Sequence, residues 1–228
     1  PYTPRKHQAY LHKKISENRW NVLVCHRRFG KTVCMINHLI RSALLSKNKN
    51  PRYAYIAPTF KQAKSIAWDY MKQFTAKIPY TKFNETELRV DLPNGSRITL
   101  LGSENSDGLR GIYLDGCVID EYANVNERLF PEIIRPALSD RKGYCVFIGT
   151  PQGMNNNFYE LYQHAQGADD WFNYKAKASD TKIVDDEELV KAKEVMGDKK
   201  YQQEFECDWI ANIEGAVYSD VLAKMEDK

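Results

Sequence analysis

Two short stretches hold residues whose types and spacing can do chemistry together. The first is Cys25-His26-Arg27-Arg28-Phe29-Gly30-Lys31-Thr32, which follows one apolar run and opens another with helical period. Between a strand and a helix, the backbone N–H groups of such a loop and the helix N-terminus attract phosphate. Lys31 would neutralise the β- and γ-phosphates and the Thr32 hydroxyl would ligate Mg2+. His26, Arg28, Phe29 and Gly30 complete the nucleotide-binding loop. Cys25 replaces the usual first glycine of GxxxxGK[ST], and a Gly-Lys-Thr at a helix start also arises by chance. The second stretch is Asp120-Glu121, closing the apolar run Cys117-Val118-Ile119. An Asp at the tip of a buried strand can hold Mg2+, and an adjacent Glu can polarise an attacking water. A pair of solvated acids at a strand end is the plain alternative. Both stretches occur in the expected order on strands of the expected kind, and together they predict Mg2+-dependent hydrolysis of ATP.

Other residues could extend this site. Arg27, inside the loop, can reach the γ-phosphate as a finger in cis, a device contributing roughly 10³–10⁵ in rate; pairing with an acid or with nucleic acid is its alternative. Ser106-Asp107-Gly108-Leu109-Arg110-Gly111 is a glycine-flanked loop that can present Arg110 to a neighbouring subunit, or a plain surface loop. Gly149-Thr150-Pro151 ends a further apolar strand, and ligands bind at the carboxyl ends of such strands. Thr150 there senses a γ-phosphate or caps a turn. Arg5 and Gln8 can hydrogen-bond an adenine edge or simply face solvent. The five histidines show no metal spacing, and acid pairs such as Asp169-Asp170 cap helices or face solvent.

Positioning these groups requires alternating strands and helices. Strands are expected over 20–25, 53–58, 113–121 and 144–151, all apolar runs of the kind buried on both faces of a parallel sheet. Helices are expected from the Thr3 cap to about Ser16, over 31–45, from the Thr59 cap to about Lys77, and over 127–138. Alternating apolar residues on both sides of Asn94-Gly95 predict an inserted hairpin, since that pair tolerates positive φ at both turn positions. After residue 155 the pattern changes to two or three helices with a short strand near Trp171–Tyr174, read as a lid. The expected domains are an ATPase core over 1–153, a lid subdomain over 154–211 and a linker or docking helix over 212–228.

The bulk composition sets bounds. With 228 residues, 43% hydrophobic and 28% charged, the chain can bury one large core. No run approaches the roughly 20 apolar residues that span a bilayer, so no membrane is expected. Five cysteines without a CxxC pair read as reduced thiols rather than a disulfide framework or zinc site. Residues 1–50 carry eleven Lys or Arg against Glu17 alone, a front that could meet phosphate of a nucleotide or of nucleic acid. The chain opens at Pro1 without a methionine, so a piece of a longer protein is expected.

The pattern resembles the large terminase subunit of tailed double-stranded DNA bacteriophages, in its N-terminal packaging ATPase domain. The resemblance rests on PRKHQ (4–8), CHRRFGKT (25–32), YIAPT (55–59), the hairpin before GLRG (108–111), CVIDE (117–121), IGTP (148–151) and FECDWI (205–210). It implies an α/β P-loop NTPase of the ASCE type: a mainly parallel central sheet flanked by helices, an inserted hairpin and a small C-terminal lid subdomain. It implies that Arg27 contacts the γ-phosphate, that Arg110 is the finger offered to the adjacent subunit, that Glu121 is the catalytic acid, that Thr150 couples and that Gln8 serves the adenine site. The implied cofactors are ATP and Mg2+. The implied partners are double-stranded DNA, the portal protein, the small terminase subunit and further copies in a ring, expected to be five, with a monomer in isolation as the alternative. The implied setting is the host bacterial cytoplasm with transient docking on the viral procapsid. The family's C-terminal nuclease does not fit before Lys228, so ATP hydrolysis without DNA cutting is expected. A helicase-like or recombination-type translocase is the competing enzyme reading, separable by strand-separation activity. A nucleotide-dependent assembly switch would bind ATP tightly and barely turn it over.

Overall fold

The computed structural model describes residues 2–210, at 107 and 108 the backbone alone. The linker expected over 212–228 lies outside the described residues. In chain order the elements are α1 (Lys6–Glu17), β1 (Trp20–Cys25), α2 (Lys31–Leu45), β2 (Arg52–Ala57), α3 (Phe60–Ala63), α4 (Asp69–Thr75), β3 (Lys82–Asn84), β4 (Arg89–Asp91), β5 (Arg97–Gly102), β6 (Gly116–Asp120), α5 (Arg135–Ala137), β7 (Tyr144–Gly149), α6 (Asn157–Gly167), β8 (Trp171–Ala176), α7 (Ala178–Thr181), α8 (Asp186–Met196) and α9 (Asp198–Glu204). The strands form one eight-stranded sheet in the order β3-β4-β5-β2-β6-β7-β1-β8. From β5 to β8 every neighbouring pair is parallel; the β3-β4-β5 edge is antiparallel.

The side-chain period of a strand explains the layers. In β1, Leu23 and Cys25 face one core while Trp20, Val22 and Val24 face the other. In β7, Val146 and Ile148 divide from Cys145 and Phe147 in the same way. Helices α1, α2 and α4 cover the first face with Leu11, Ile15, Leu39 and Met71; α6 and the stretch before α5 cover the second with Phe158, Tyr162, Leu129 and Ile133. Leu11 and Ile15 are 0% and 1% exposed. Burying them contributes roughly 1.5–3 kcal/mol each, which secures a helix that would be marginal alone. The α/β class with a mainly parallel, helix-flanked sheet and an inserted hairpin is as expected. All five cysteines are buried free thiols. No helix among the described residues is long and apolar enough to cross a membrane.

Several expectations are corrected. Helix α1 starts at Lys6 rather than after Thr3, because Gln8 Oε1 accepts the Arg5 N–H at 3.0 Å and makes Arg5 the cap. The loop around Asn94-Gly95 is longer than a two-residue turn. Gly95 N–H donates to the Leu92 carbonyl at 3.0 Å, and of the pair only Gly95 has positive φ, +83°. The helix expected over 60–77 begins at its Thr59 cap but passes through a wide π turn at Lys64–Trp68. The one expected over 127–138 is a π turn (Leu129–Ile134) followed by the short α5. Pro131 and Pro136 lie in that stretch and lack the N–H groups that a regular ladder needs. The strand expected inside the lid, β8, pairs in parallel with β1 as an edge of the central sheet, and Trp171 stacks on Trp20 with centroids 5.8 Å apart. Helices α7–α9 gather instead around their own cluster of Ala178, Leu189, Tyr201 and Phe205.

Candidate functional site

Parallel pairing brings the carboxyl ends of β1, β7 and β6 to one edge of the sheet. Val24 stands opposite Gly149, and Ile148 opposite Asp120. The residues that follow – Cys25, Thr150 and Glu121 – therefore share one level. Strand β7 lies between the other two, so Thr150 sits between the Lys31 loop and the Asp120-Glu121 tip.

The loop after β1 turns on two left-handed residues, Arg28 (φ +69°) and Gly30 (φ +87°), the second capping α2. A Cβ on Gly30 would lie 2.9 Å from Gln8 Nε2, so a side chain at this position would strain the backbone and crowd α1. Three backbone N–H groups of the loop are used by the protein itself. His26 N–H donates to the Ala176 carbonyl at 3.0 Å, Arg27 N–H to the Glu204 carbonyl at 2.7 Å, and Phe29 N–H to the His26 carbonyl at 3.3 Å. The donors suited to an anion are thus those at the open N-terminus of α2, beginning with Lys31 and Thr32, which have no partner within the helix.

Asp120 is held from both sides. Its Oδ1 accepts the Glu121 N–H at 2.9 Å, and its Oδ2 accepts the hydroxyl of fully buried Tyr55. The Tyr55 hydroxyl also faces Thr32. The two expected Mg2+ ligands, Thr32 and Asp120, thus converge on one tyrosine. Among the described residues no group of three or more His, Cys, Asp and Glu could hold a metal. Two hard oxygens beside a phosphate site fit Mg2+, which keeps its waters and takes few protein ligands.

Glu121 is left-handed, φ +48°, immediately beyond β6. A non-glycine residue held there costs on the order of 1–2 kcal/mol and marks a position that the surroundings impose. Burial raises its carboxyl to about pKa 7, with Asp120 and Glu204 adding to the shift and Lys31 and Arg27 opposing it. A carboxylate tuned near neutrality can accept a proton from water.

Other expected residues fall at differing distances from this centre. Arg5 and Gln8 both reach the loop: Arg5 Nη1 donates to the Phe29 carbonyl at 3.4 Å and Gln8 Nε2 to the Gly30 carbonyl at 3.3 Å. Thr150 is buried at the tip of β7. Arg27 and Arg28 are exposed, and Arg27 acts electrostatically on Glu121. His26 and Phe29, expected to bind nucleotide, are engaged internally. The His26 ring is buried and spans Thr181 Oγ1 (2.8 Å) and the Arg27 carbonyl, while Phe29 is 0% exposed and packs edge-on against it. Arg110 Nη2 donates to Glu132 Oε2 at 3.3 Å on the surface. A cavity of about 850 Å³ lies elsewhere, between α1 and α2, lined by Tyr2, His12, Ile40 and Leu44 among others.

Tyr55, Thr181, Gln203 and Glu204 are invisible to motif spacing. Tyr55 has one signal, the period-2 pattern that puts it on the same face as Tyr53 and Ala57. The other three come from α7 and α9: Thr181 and Glu204 meet the loop from about 150 residues or more beyond it, Gln203 meets Pro151 from 52 residues beyond, and nothing in their local sequence marks them.

Comparisons with known proteins show what the chain is similar to. The chain is 26% identical over 180 residues to the terminase large subunit of Thermus phage G20c, covering 71% of this chain and 36% of that one. It thus spans about a third of the length of the curated relatives it matches. It superposes on the large terminase ATPase domain of Thermus phage P74-26 with a TM-score of 0.76 at 22% identity, covering 92% of this chain and 95% of that one. On the large terminase of a thermophilic bacteriophage in complex with ADP, the TM-score is 0.78 at 16% identity, covering 90% and 53%. Their likeness fixes the fold. The family model described as terminase large subunit, T4likevirus-type, N-terminal, matches residues 24–222, so the chain belongs to the terminase large subunit family.

Proposed function

We propose that this chain is the ATPase motor part of a viral DNA-packaging terminase, hydrolysing ATP with Mg2+ to move double-stranded DNA into a capsid. The observation that carries this reading is the convergence of Lys31, Thr32, Asp120 and Glu121 beyond the tips of β1 and β6, on either side of β7. The large terminase of the thermophilic bacteriophage has structures with ADP and with ATP-gamma-S, which supports the same nucleotide here. Lys31 and the open end of α2 bind and neutralise the phosphates; Thr32 and Asp120 would hold Mg2+, which screens charge on the transferring group. Glu121, ionised, accepts a proton from the attacking water, and Arg27 is placed to meet charge on the γ-phosphate. Thr150 faces the same group from the tip of β7, and Arg5 and Gln8 stand where an adenine would approach the loop. Phosphate release from ATP in the presence of Mg2+ tests the reading; a chain that binds no nucleotide overturns it.

We further propose that the motor works as a ring, expected to be five copies, on DNA at the portal with the small subunit, in the host bacterial cytoplasm. In that assembly Arg110 leaves Glu132 and reaches the neighbouring copy's phosphates. Mixing Arg110→Ala with Lys31→Ala subunits is expected to restore part of the activity that each lacks alone, because mixed neighbours form complete sites. No recovery in phosphate release would place Arg110 in its own subunit's site.

A further inference from the structure

Helix α9 ends against the site at two points. The Glu204 carbonyl is among the last four of the helix, which find no partner within it, and the loop supplies one through the Arg27 N–H at 2.7 Å. The residue before it, Gln203, is 2% exposed and donates from Nε2 to the Pro151 carbonyl at 2.6 Å. A buried amide is placed by its partners: its Oε1 accepts from Lys200 Nζ at 3.5 Å within α9, and the carbonyl that its Nε2 meets outside the helix belongs to Pro151, directly after Thr150. Proline has a fixed φ, so pinning its carbonyl leaves the Thr150–Pro151 unit little freedom to turn. Consecutive residues of one short helix thus hold the phosphate loop and the β7 tip together. A third tie, from His26 Nε2 to Thr181 Oγ1 at 2.8 Å, joins α7 to the same loop.

We propose that Gln203 is a positioning residue that holds Thr150 facing the terminal phosphate, so that the position of α9 and the contents of the site depend on each other. The proposal rests on the ATP reading above. It requires that Gln203 act through Thr150 and not through general stability. Gln203→Met keeps the volume and removes the donor. Its expected effect is a fall of about tenfold in kcat for ATP, with ADP affinity unchanged to within about twofold, since a small misplacement near reacting groups lowers rate more than binding. Thr150→Val is expected to cost a similar factor, and the double variant Gln203→Met/Thr150→Val is expected to be no slower than Thr150→Val alone, because groups acting through one another are not additive. If Gln203→Met does not fold, Gln203→Asn, which draws the amide back by one methylene, serves in both measurements. Multiplied losses in the double variant, or an unchanged kcat in the single one, overturn the proposal while leaving the ATP reading standing. A wild-type chain that neither binds nor hydrolyses ATP overturns both.

Discussion

Glu121→Gln is expected to lower phosphate release about 10³-fold near pH 8 while leaving the KM for ATP nearly unchanged. It is also expected to make the protein more stable at that pH. Both effects come from one cause. The carboxyl is raised from 4.5 to about 7 by burial first, then by Asp120. A group whose folded pKa is raised contributes its full stability below the unfolded value and loses it as pH rises through the folded value. For Glu121 that window runs from 4.5 to about 7, and above it the fold carries an ionised carboxylate that it would rather hold neutral. Glutamine is neutral throughout. The variant is therefore expected to melt like wild type near pH 5 and to gain on the order of 1–3 kcal/mol, a few degrees in Tm, near pH 8. The wild-type rate is expected to climb as pH passes through about 7, and the residual rate of the variant to lack that limb. Scanning calorimetry at both pH values, beside the rate profile, checks the argument. A variant with wild-type turnover, or one destabilised near pH 8, would sink the assignment of Glu121 as the base.

What can be read from sequence follows the range of the forces involved. The runs 20–25 and 31–45 are legible to the residue, because an apolar run and a helix opened by Gly30 are local signals that the packing does not oppose. The places of Lys31 and Thr32 at the start of α2, and of Asp120 and Glu121 at the end of β6, are legible for the same reason. The start of α1 is not, because a glutamine three residues into the helix outcompetes Thr3 as the source of its cap. Strand β8 is visible as a strand but not as an edge of the central sheet, since pairing with β1 joins segments about 150 residues apart. The site divides likewise. Its charged groups are announced by spacing, whereas Tyr55 on Asp120, Thr181 on His26 and α9 on the loop exist only through packing. His26 and Phe29 show the converse: residues inside an expected binding motif whose side chains make internal contacts that spacing does not announce.

Lys31→Ala is the other change with a large expected effect, and it acts twice. Lys31 is the first residue of α2, so in the proposed site its ammonium and the helix N-terminus would act on the same phosphates. Without it the oxygens of a bound ATP are expected to lose a fixed cation. The second loss falls on Glu121, since Lys31 is the foremost of the groups that hold that carboxyl down. With the ammonium gone, Asp120 and Glu204 act on Glu121 with less opposition, its pKa rises further, and less of it is ionised at neutral pH. The combined expectation is a fall in kcat/KM of about 10³-fold or more, with ADP affinity weakened about tenfold and the remaining pH limb displaced to higher pH. Lys31→Arg is expected to recover little, because a planar five-donor fork does not take the place of a compact ammonium at a site shaped for a point charge. Phosphate release across pH and calorimetric ADP binding separate the two losses. Turnover like that of wild type in Lys31→Ala would remove the phosphate loop from the mechanism, and a loss of ADP binding with an undisplaced pH limb would uncouple Lys31 from Glu121.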